Sequence, residues 1–334
     1  MKRVTIITSV VDIMFNLEAL QNKVLNNYKI TKADALNLVN APFNELTNAA
    51  NEIREHFCGN CFDACTIINV KSGKCSENCK FCAQSIHHNT DIDTYPIMSE
   101  DEIKKKTLSI YNSGFKRISY VASGKNIEQK EFETISKAIN EMKRDNDNIK
   151  LCVSLGFLKK DQIINLKDAG VDRIHNNLES SRKYFGEICT THSYDDKLNT
   201  LNLMHDEGIM ICSGSIFGLG ESFEDRIDLA FELRRLGVKS IPINILNPIR
   251  GTPVENNEIL TNEEVCRIIS IFRFINPDAH IRMAGGRSLL EDNGKMAFKS
   301  GANAAILGDM LTTNGLGLED DLKLLDELGF EIAY

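Results

Sequence analysis

No run of 18 or more apolar residues occurs in this 334-residue sequence, so nothing in it is long enough for a membrane-spanning helix. There is no basic stripe either. The formal net charge is −8, which argues against a nucleic-acid partner, because binding phosphates needs clustered Lys and Arg. Proline and glycine are scarce at the start: Pro42 and Gly59 are the only two among the first 60 residues, so no strong linker is marked there. Low-complexity segments and short repeats are also missing. The apolar run Val4–Val11 is preceded only by Lys2 and Arg3, and no small-residue cleavage site follows. It reads as a weak helix or strand rather than a signal peptide.

What remains is ordinary globular composition, 42% hydrophobic and 26% charged. The length allows two domains, but α/β barrels of this size often form one. The acidic balance keeps such a chain soluble. The expected location is cytoplasmic, and there ten cysteines argue for metal ligation or catalysis over disulfides.

From about residue 65 the pattern alternates short β-branched runs with amphipathic helical stretches. Strands are expected over 66–71, 117–122, 150–156, 172–179, 210–218, 240–247, 280–285 and 304–310. Helices are expected over 130–144, 160–169, 194–207, 222–236, 262–274, 288–300 and 319–328. Gly114, Gly170, Gly208, Gly237 and Gly301 stand where helices would end. Eight β-then-α units fit a TIM-type (β/α)8 barrel over 61–334, preceded by a helical extension over 1–60. Reactive groups should then gather at the C-terminal ends of the strands.

Cys75, Cys79 and Cys82 form a C-x3-C-x2-C run on the loop after the first expected strand. Three thiolates can hold three irons of a cubane cluster, which normally takes four. The fourth iron is then open to a small molecule. The same thiols would also fill three corners of a zinc site, with His87 or His88 as the fourth ligand. The run, with Phe81 before its last cysteine, resembles the signature of the radical S-adenosylmethionine enzymes.

Other residues gather on the expected active face. His175, Asn177 and Glu179 alternate along one strand and share a face, either as a polar site or as a strand end reaching water. Cys212 leads into Gly214, Gly218, Gly220 and Glu221, a glycine-rich turn that permits close backbone approach to a ligand. Cys152 and Cys212 read equally as core packing or as ligands. Arg282 favours the second reading, because a buried arginine needs an anionic partner. Asn244 sits among apolar residues and needs a hydrogen-bond partner, either a backbone group or a substrate carbonyl or urea. Thr312 and Thr313 either hold a carboxylate or form a turn. Cys58, Cys61 and Cys65 are read as preceding the first strand, on the face away from the site; their C-x2-C-x3-C spacing could bind metal, but a structural or incidental role is favoured. Cys266 is expected in the core.

From about residue 50 to the C-terminus the sequence resembles the biotin synthase family. The likeness rests on Lys71–Cys79 and Phe81–Ser85, on Cys212–Gly214 with Gly218–Glu221, on Asn247–Pro253, on Ile281–Arg287, on Gly301–Ala304 and on Leu311–Thr313. It implies an enzyme that turns dethiobiotin into biotin, with radical and sulfur supplied by cofactors rather than by catalytic side chains. Cys75, Cys79 and Cys82 would ligate a 4Fe–4S cluster whose open iron holds S-adenosylmethionine. Cleavage of that molecule by one electron yields a 5′-deoxyadenosyl radical. Asn177 would touch both substrates and Glu179 the ribose, with Gly214, Gly218 and Glu221 on the S-adenosylmethionine side. Asn244, Thr312 and Thr313 would contact dethiobiotin.

Ser119, Cys152, Cys212 and Arg282 match the ligands of a second, sulfur-donating cluster, 2Fe–2S or a variant. Two departures stand out. Ser119 replaces a cysteine ligand of the better-known form, and His175 replaces an asparagine. Ser119 would then bind iron as an alkoxide or donate a hydrogen bond to sulfide, or Cys189 would take over as a thiolate. A flavodoxin or ferredoxin as electron donor and a homodimer are the implied partners. The alternatives are another radical enzyme of this barrel group, such as a hydrogenase maturase, and a non-catalytic zinc-binding barrel.

Overall fold

A computed structural model describes residues 15–308 and 317–333. Val4–Val11, Thr312 and Thr313 lie outside the described residues. Three helices come first: α1 (Leu17–Leu25), α2 (Lys32–Leu38) and α3 (Phe43–Cys58). The strands are β1 (Cys61–Lys71), β2 (Arg117–Ala122), β3 (Lys150–Ser154), β4 (Arg173–His175), β5 (Met210–Cys212), β6 (Ser215–Phe217), β7 (Ser240–Ile245), β8 (His280–Met283), β9 (Ala304–Ile306) and β10 (Glu331–Ala333). Between and after them run α4 (Glu100–Asn112), α5 (Gln129–Asp145), α6 (Lys160–Asp168), α7 (Phe185–Ile188), α8 (Tyr194–Asp206), α9 (Phe223–Arg235), α10 (Asn262–Ile275), α11 (Lys295–Lys299) and α12 (Leu318–Glu327).

Every strand pairing is parallel, and the β1–β9 pairing closes the ring. Because β5 and β6 are two halves of one stave, the ring has eight staves, as the sequence pattern predicts. β10 adds to the N-terminal half of β1. The apolar core is continuous from Leu20 in α1 through the helix–strand layer to Leu325 in α12. Capping boxes open four of the outer helices, at Ser99–Glu102, Ser193–Asp196, Ser222–Asp225 and Thr261–Glu264. Each satisfies amides that a helix start leaves bare. The five glycines expected at helix ends all have positive φ.

β10 is not among the expected strands, nor α4 among the expected helices, and four expected elements depart further from the sequence reading. β1 starts at Cys61 rather than Thr66, so Cys61 and Cys65 lie within it. β4 stops at His175, and the next residues leave the ladder. The expected fifth strand is cut at Ser213-Gly214, where the backbone passes β7 so closely that a Cβ on Gly214 would sit 2.0 Å from Pro242 O. The helix expected over 288–300 is only a 3-10 turn, Arg287–Leu289, and α11. Gly294 has φ +83 between them, and the Asp292 carboxylate accepts from Gly294 N and Met296 N, starting the helix late.

Candidate active site in the barrel

Side chains alternate along a strand, and the inward set here is unusually polar. Asp63 and Cys65 on β1, Arg117 and Ser119 on β2, Cys152 on β3 and Arg173 and His175 on β4 all face the axis, as do Cys212 on β5, Asn244 on β7 and Arg282 on β8. Apart from Asp63, whose carboxylate reaches the arginines, they line one cavity of about 300 Å³. A second cavity of about 240 Å³ adjoins it, sharing Ile67, Phe81, Ile216, Asn244 and Ile306. A third, of about 200 Å³, is lined by Cys75, Cys79, Cys82 and Lys197 and shares Phe81, His175, Asn177 and Glu179 with the first.

The cysteine loop is fastened at both ends. Cys75 N donates to Gln84 O (2.9 Å) and Ile86 N to Cys75 O (2.9 Å). Its middle is clasped by the segment 190–192. Asn78 N donates to Thr191 Oγ1 (3.1 Å), Asn78 Nδ2 to Thr190 Oγ1 (2.7 Å), and the Glu77 carboxylate accepts from Thr191 Oγ1 (2.8 Å) and pairs with His192 Nδ1 (2.6 Å). Burial works to raise the Glu77 carboxyl, but His192, Thr191 and Lys125 hold it below its usual value. All three loop thiols are half-buried and open to the third cavity. Burial pushes Cys82 up to about 11 as a free thiol; a bound metal ion deprotonates such a thiol outright. Three adjacent soft donors with room in front of them suit iron–sulfur ligation.

His87 and His88 have their ring Nε2 atoms engaged away from the thiols. They bond the carbonyls of Ser76 and Cys79, each at 3.0 Å. Instead Cys79, Cys189 and His192 bring one ligand atom each within 4.8 Å of one another. Cys189 therefore sits beside the signature loop, outside the linings of the interior cavity, and is not the replacement for Ser119. The hydrogen bond between Cys79 and Cys189 pushes the first thiol up and the second down.

His175, Asn177 and Glu179 face the first and third cavities together, although the ladder ends at His175. Asn177 Oδ1 accepts from Gly214 N (2.9 Å) and its Nδ2 donates to Glu179 Oε2 (3.3 Å). Glu179 holds φ +68, an uncommon backbone for a non-glycine residue, and such strain clusters at functional sites. Burial raises its carboxyl pKa, against the pull of Lys197 and His175.

Gly214, Gly218, Gly220 and Glu221 lie outside the linings of these three cavities, although Ile216 between them lines the first two. Gly218 N and Leu219 N donate to the Glu221 carboxylate (3.1 and 2.8 Å), as does Arg226 Nε (2.7 Å), so Glu221 is spent on shaping its own turn. Asn244 spans the first two cavities, and its amide bonds backbone: Nδ2 to Ser215 O (2.9 Å), Oδ1 from Gly285 N (3.0 Å). Cys266 is buried in α10.

The largest departure concerns Cys65. It is 7% exposed and faces the interior cavity, not the opposite face of the barrel. Sequence reasoning also missed Asp63, Arg117 and Arg173. Alternation read backwards from Ile67 along β1 would have found Cys65 and Asp63 on one face.

Residues 69–233 match the family model "Radical SAM superfamily", and residues 242–331 match "Biotin and Thiamin Synthesis associated domain". A biotin synthase of Brachyspira hyodysenteriae is 51% identical over 317 residues, covering 95% of this chain and 95% of that protein. The chain belongs to the biotin synthase family. A second member, from Clostridium botulinum (strain Langeland), is 51% identical over 319 residues, covering 96% of this chain and 100% of that protein. Among solved structures, a methylornithine synthase superposes with a TM-score of 0.81 at 19% identity, covering 94% of this chain and 97% of that one. The FeFe-hydrogenase maturase of Carboxydothermus hydrogenoformans gives 0.80 at 15% identity, covering 95% and 79%. At that identity the two structures speak for the shared barrel alone. Membership in the radical enzyme superfamily implies a 4Fe–4S cluster and S-adenosylmethionine. The non-catalytic zinc barrel is set aside by the biotin synthase family membership.

Proposed function

We propose that this chain converts dethiobiotin to biotin by radical-mediated sulfur insertion, as a sulfurtransferase dependent on S-adenosylmethionine. One observation carries the reading. The thiol-bearing loop and the thiol-lined interior open onto cavities that share Phe81, His175, Asn177 and Glu179 as a common wall. When bound, the two clusters supply an electron for S-adenosylmethionine cleavage and a sulfur atom for the product. Side chains alone cannot do this, because the substrate carbons carry unactivated C–H bonds that need a cofactor.

Each residue then has a physical task. Cys75, Cys79 and Cys82 hold the 4Fe–4S cluster. Asn177 contacts both substrates, and Glu179 holds the ribose of S-adenosylmethionine, where the first and third cavities share them. Asn244, already fixed by two backbone bonds, presents its edge to dethiobiotin in the second cavity; Thr312 and Thr313, outside the described residues, remain dethiobiotin contacts by resemblance alone. Cys152, Cys212, Ser119 and Arg282 surround the second cluster. Phe81 separates the compartments and keeps water from the reacting carbons. The one-electron donor is a flavodoxin or ferredoxin, and the chain works as a cytoplasmic homodimer.

The test is anaerobic reconstitution with iron and sulfide, followed by assay with dethiobiotin, S-adenosylmethionine and a reductant. Biotin and 5′-deoxyadenosine should both form. Cys75→Ala, Cys79→Ala and Cys82→Ala should each abolish 5′-deoxyadenosine, since the loop has no spare ligand. A variant that retains wild-type 5′-deoxyadenosine formation sinks the radical reading.

A further inference from the structure

The barrel interior holds more positive charge than its own side chains cancel. Arg117 Nε donates to Asp63 Oδ1 (2.8 Å), Arg282 Nη2 donates to Asp63 Oδ2 (2.8 Å), and Arg173 Nη1 pairs with the same carboxylate. Three guanidinium charges meet one carboxylate, leaving two unmatched, and the four side chains are only 3–6% exposed. Glu179 lines the same cavity, but burial works against its ionised form. Buried charge without a partner is costly. Such a site is built to receive an anion.

Three thiols face this space. Cys152 Sγ lies 4.0 Å from Arg117 Nη1. Cys212 Sγ lies 3.4 Å from His175 Nδ1 and 3.3 Å from Ser240 Oγ. The third is Cys65. In the β1–β2 register Ile67 stands opposite Ser119, and Cys65 is two residues earlier on the same inward face. A thiol is thus present one pleat away from the position where Ser119 offers only a hydroxyl. Arg282 does not make good the missing donor. Its Nη1 donates to Asp63 O (2.9 Å) and Ala305 O (3.0 Å) and its Nη2 to the Asp63 carboxylate. A protonated guanidinium carries no free acceptor.

We propose that Cys65 supplies the third thiolate to the interior iron–sulfur cluster, beside Cys152 and Cys212, in place of a ligand at Ser119. The proposal rests on the reading above that the interior holds a second cluster. The arginine hub supplies the countercharge for the added thiolate.

The test counts interior iron alone. In full-length protein carrying Cys75→Ala, Cys79→Ala and Cys82→Ala together, reconstituted iron and sulfide are measured and Mössbauer spectra recorded. Onto this background are placed Cys65→Ala, Ser119→Ala, Cys152→Ala and Cys212→Ala, each checked for folding by the cluster-free thermal melt. Cys65→Ala should lose interior iron as completely as Cys152→Ala and Cys212→Ala, while Ser119→Ala keeps it with an unchanged spectrum. If Cys65→Ala keeps full iron while the other two cysteine variants lose it, the Cys65 assignment is overturned and the second-cluster reading stands. Iron lost in Ser119→Ala overturns it too. If all three cysteine variants keep full iron, no interior cluster uses these thiols and both readings fall. In the Cys65→Ala background, adding Ser119→Cys should restore the interior iron by returning a thiol to the neighbouring strand. A folded double variant without iron counts against the proposal.

Discussion

Removing the Asp63 carboxylate strands three buried guanidinium groups. Asp63→Asn keeps the shape and deletes the charge, so it should cost about 3–5 kcal/mol, the usual penalty for breaking a buried ion pair. Urea unfolding of the cluster-free protein measures it. Burial alone would raise the Asp63 pKa, but Arg282, Arg173 and Arg117 outweigh it and hold the carboxyl far below the carboxylate range. A depressed folded pKa stabilises above the unfolded value of about 3.9 and loses that contribution as pH falls further. The gap between wild type and Asp63→Asn should therefore stay flat from about pH 8 to about pH 5 and narrow only in stronger acid; a gap that shrinks near neutrality refutes the hub. At the mouth, Asn177→Ala and Glu179→Ala each remove a polar group from the cavity beside the loop thiols. Each should weaken S-adenosylmethionine binding by about ten- to a hundredfold, for a hydrogen bond worth about 1–3 kcal/mol. Equilibrium binding to reconstituted protein decides it, with unchanged affinity showing that these groups do not contact the ligand. The signature cysteines were legible because they are close in sequence. Asp63, Cys65, Arg117 and Arg173 were not, because their convergence depends on which way each strand's pleat points, and Phe62-Asp63-Ala64 does not look like the start of a buried strand.

At the scale of elements, helices were easier to read than strands. Ser193 and Asp196, or Thr261 and Glu264, write the start of a helix into four residues. Strand limits depend instead on neighbours. The fifth stave breaks at Gly214 because β7 passes too near, and nothing local to Cys212–Gly218 says so. Gly214 N then bonds Asn177 and Gly214 O bonds Glu179 N, so the break holds the polar strand end in place. Gly214→Ala puts a methyl 2.0 Å from Pro242 O, with backbone rather than a flexible tip in the way. Overpacking of this kind costs about 1–3 kcal/mol. The variant should melt at lower temperature and bind S-adenosylmethionine more weakly, even though Gly214 lies outside the linings of the cavities. If thermal stability and binding both stay at wild-type level, the close approach is not a constraint.

At the scale of the whole molecule, the two family segments are one folding unit. The first ends at residue 233 and the second begins at 242, yet the ring closes only when β9 pairs with β1, and β10 pairs with that strand too. Arg282 from the second segment completes the Asp63 hub. Phe62 on β1 packs edge-on to Phe298 (5.4 Å between centroids) and against Phe330 (5.1 Å). α3 lies against α10, whose residues from Ile268 to Ile275 are all buried. A fragment ending at Val238 would lose all of these and expose unpaired strand edges on β1 and β6, which invite aggregation. It would keep Asp63 with two arginines and an open interior. The expected outcome is a fragment with helix signal by circular dichroism but no cooperative melt, and aggregation at micromolar concentration, while the full chain melts in one transition. A cooperative, wild-type-like transition for the fragment would show that the first segment folds by itself and that closure through β9 adds only function.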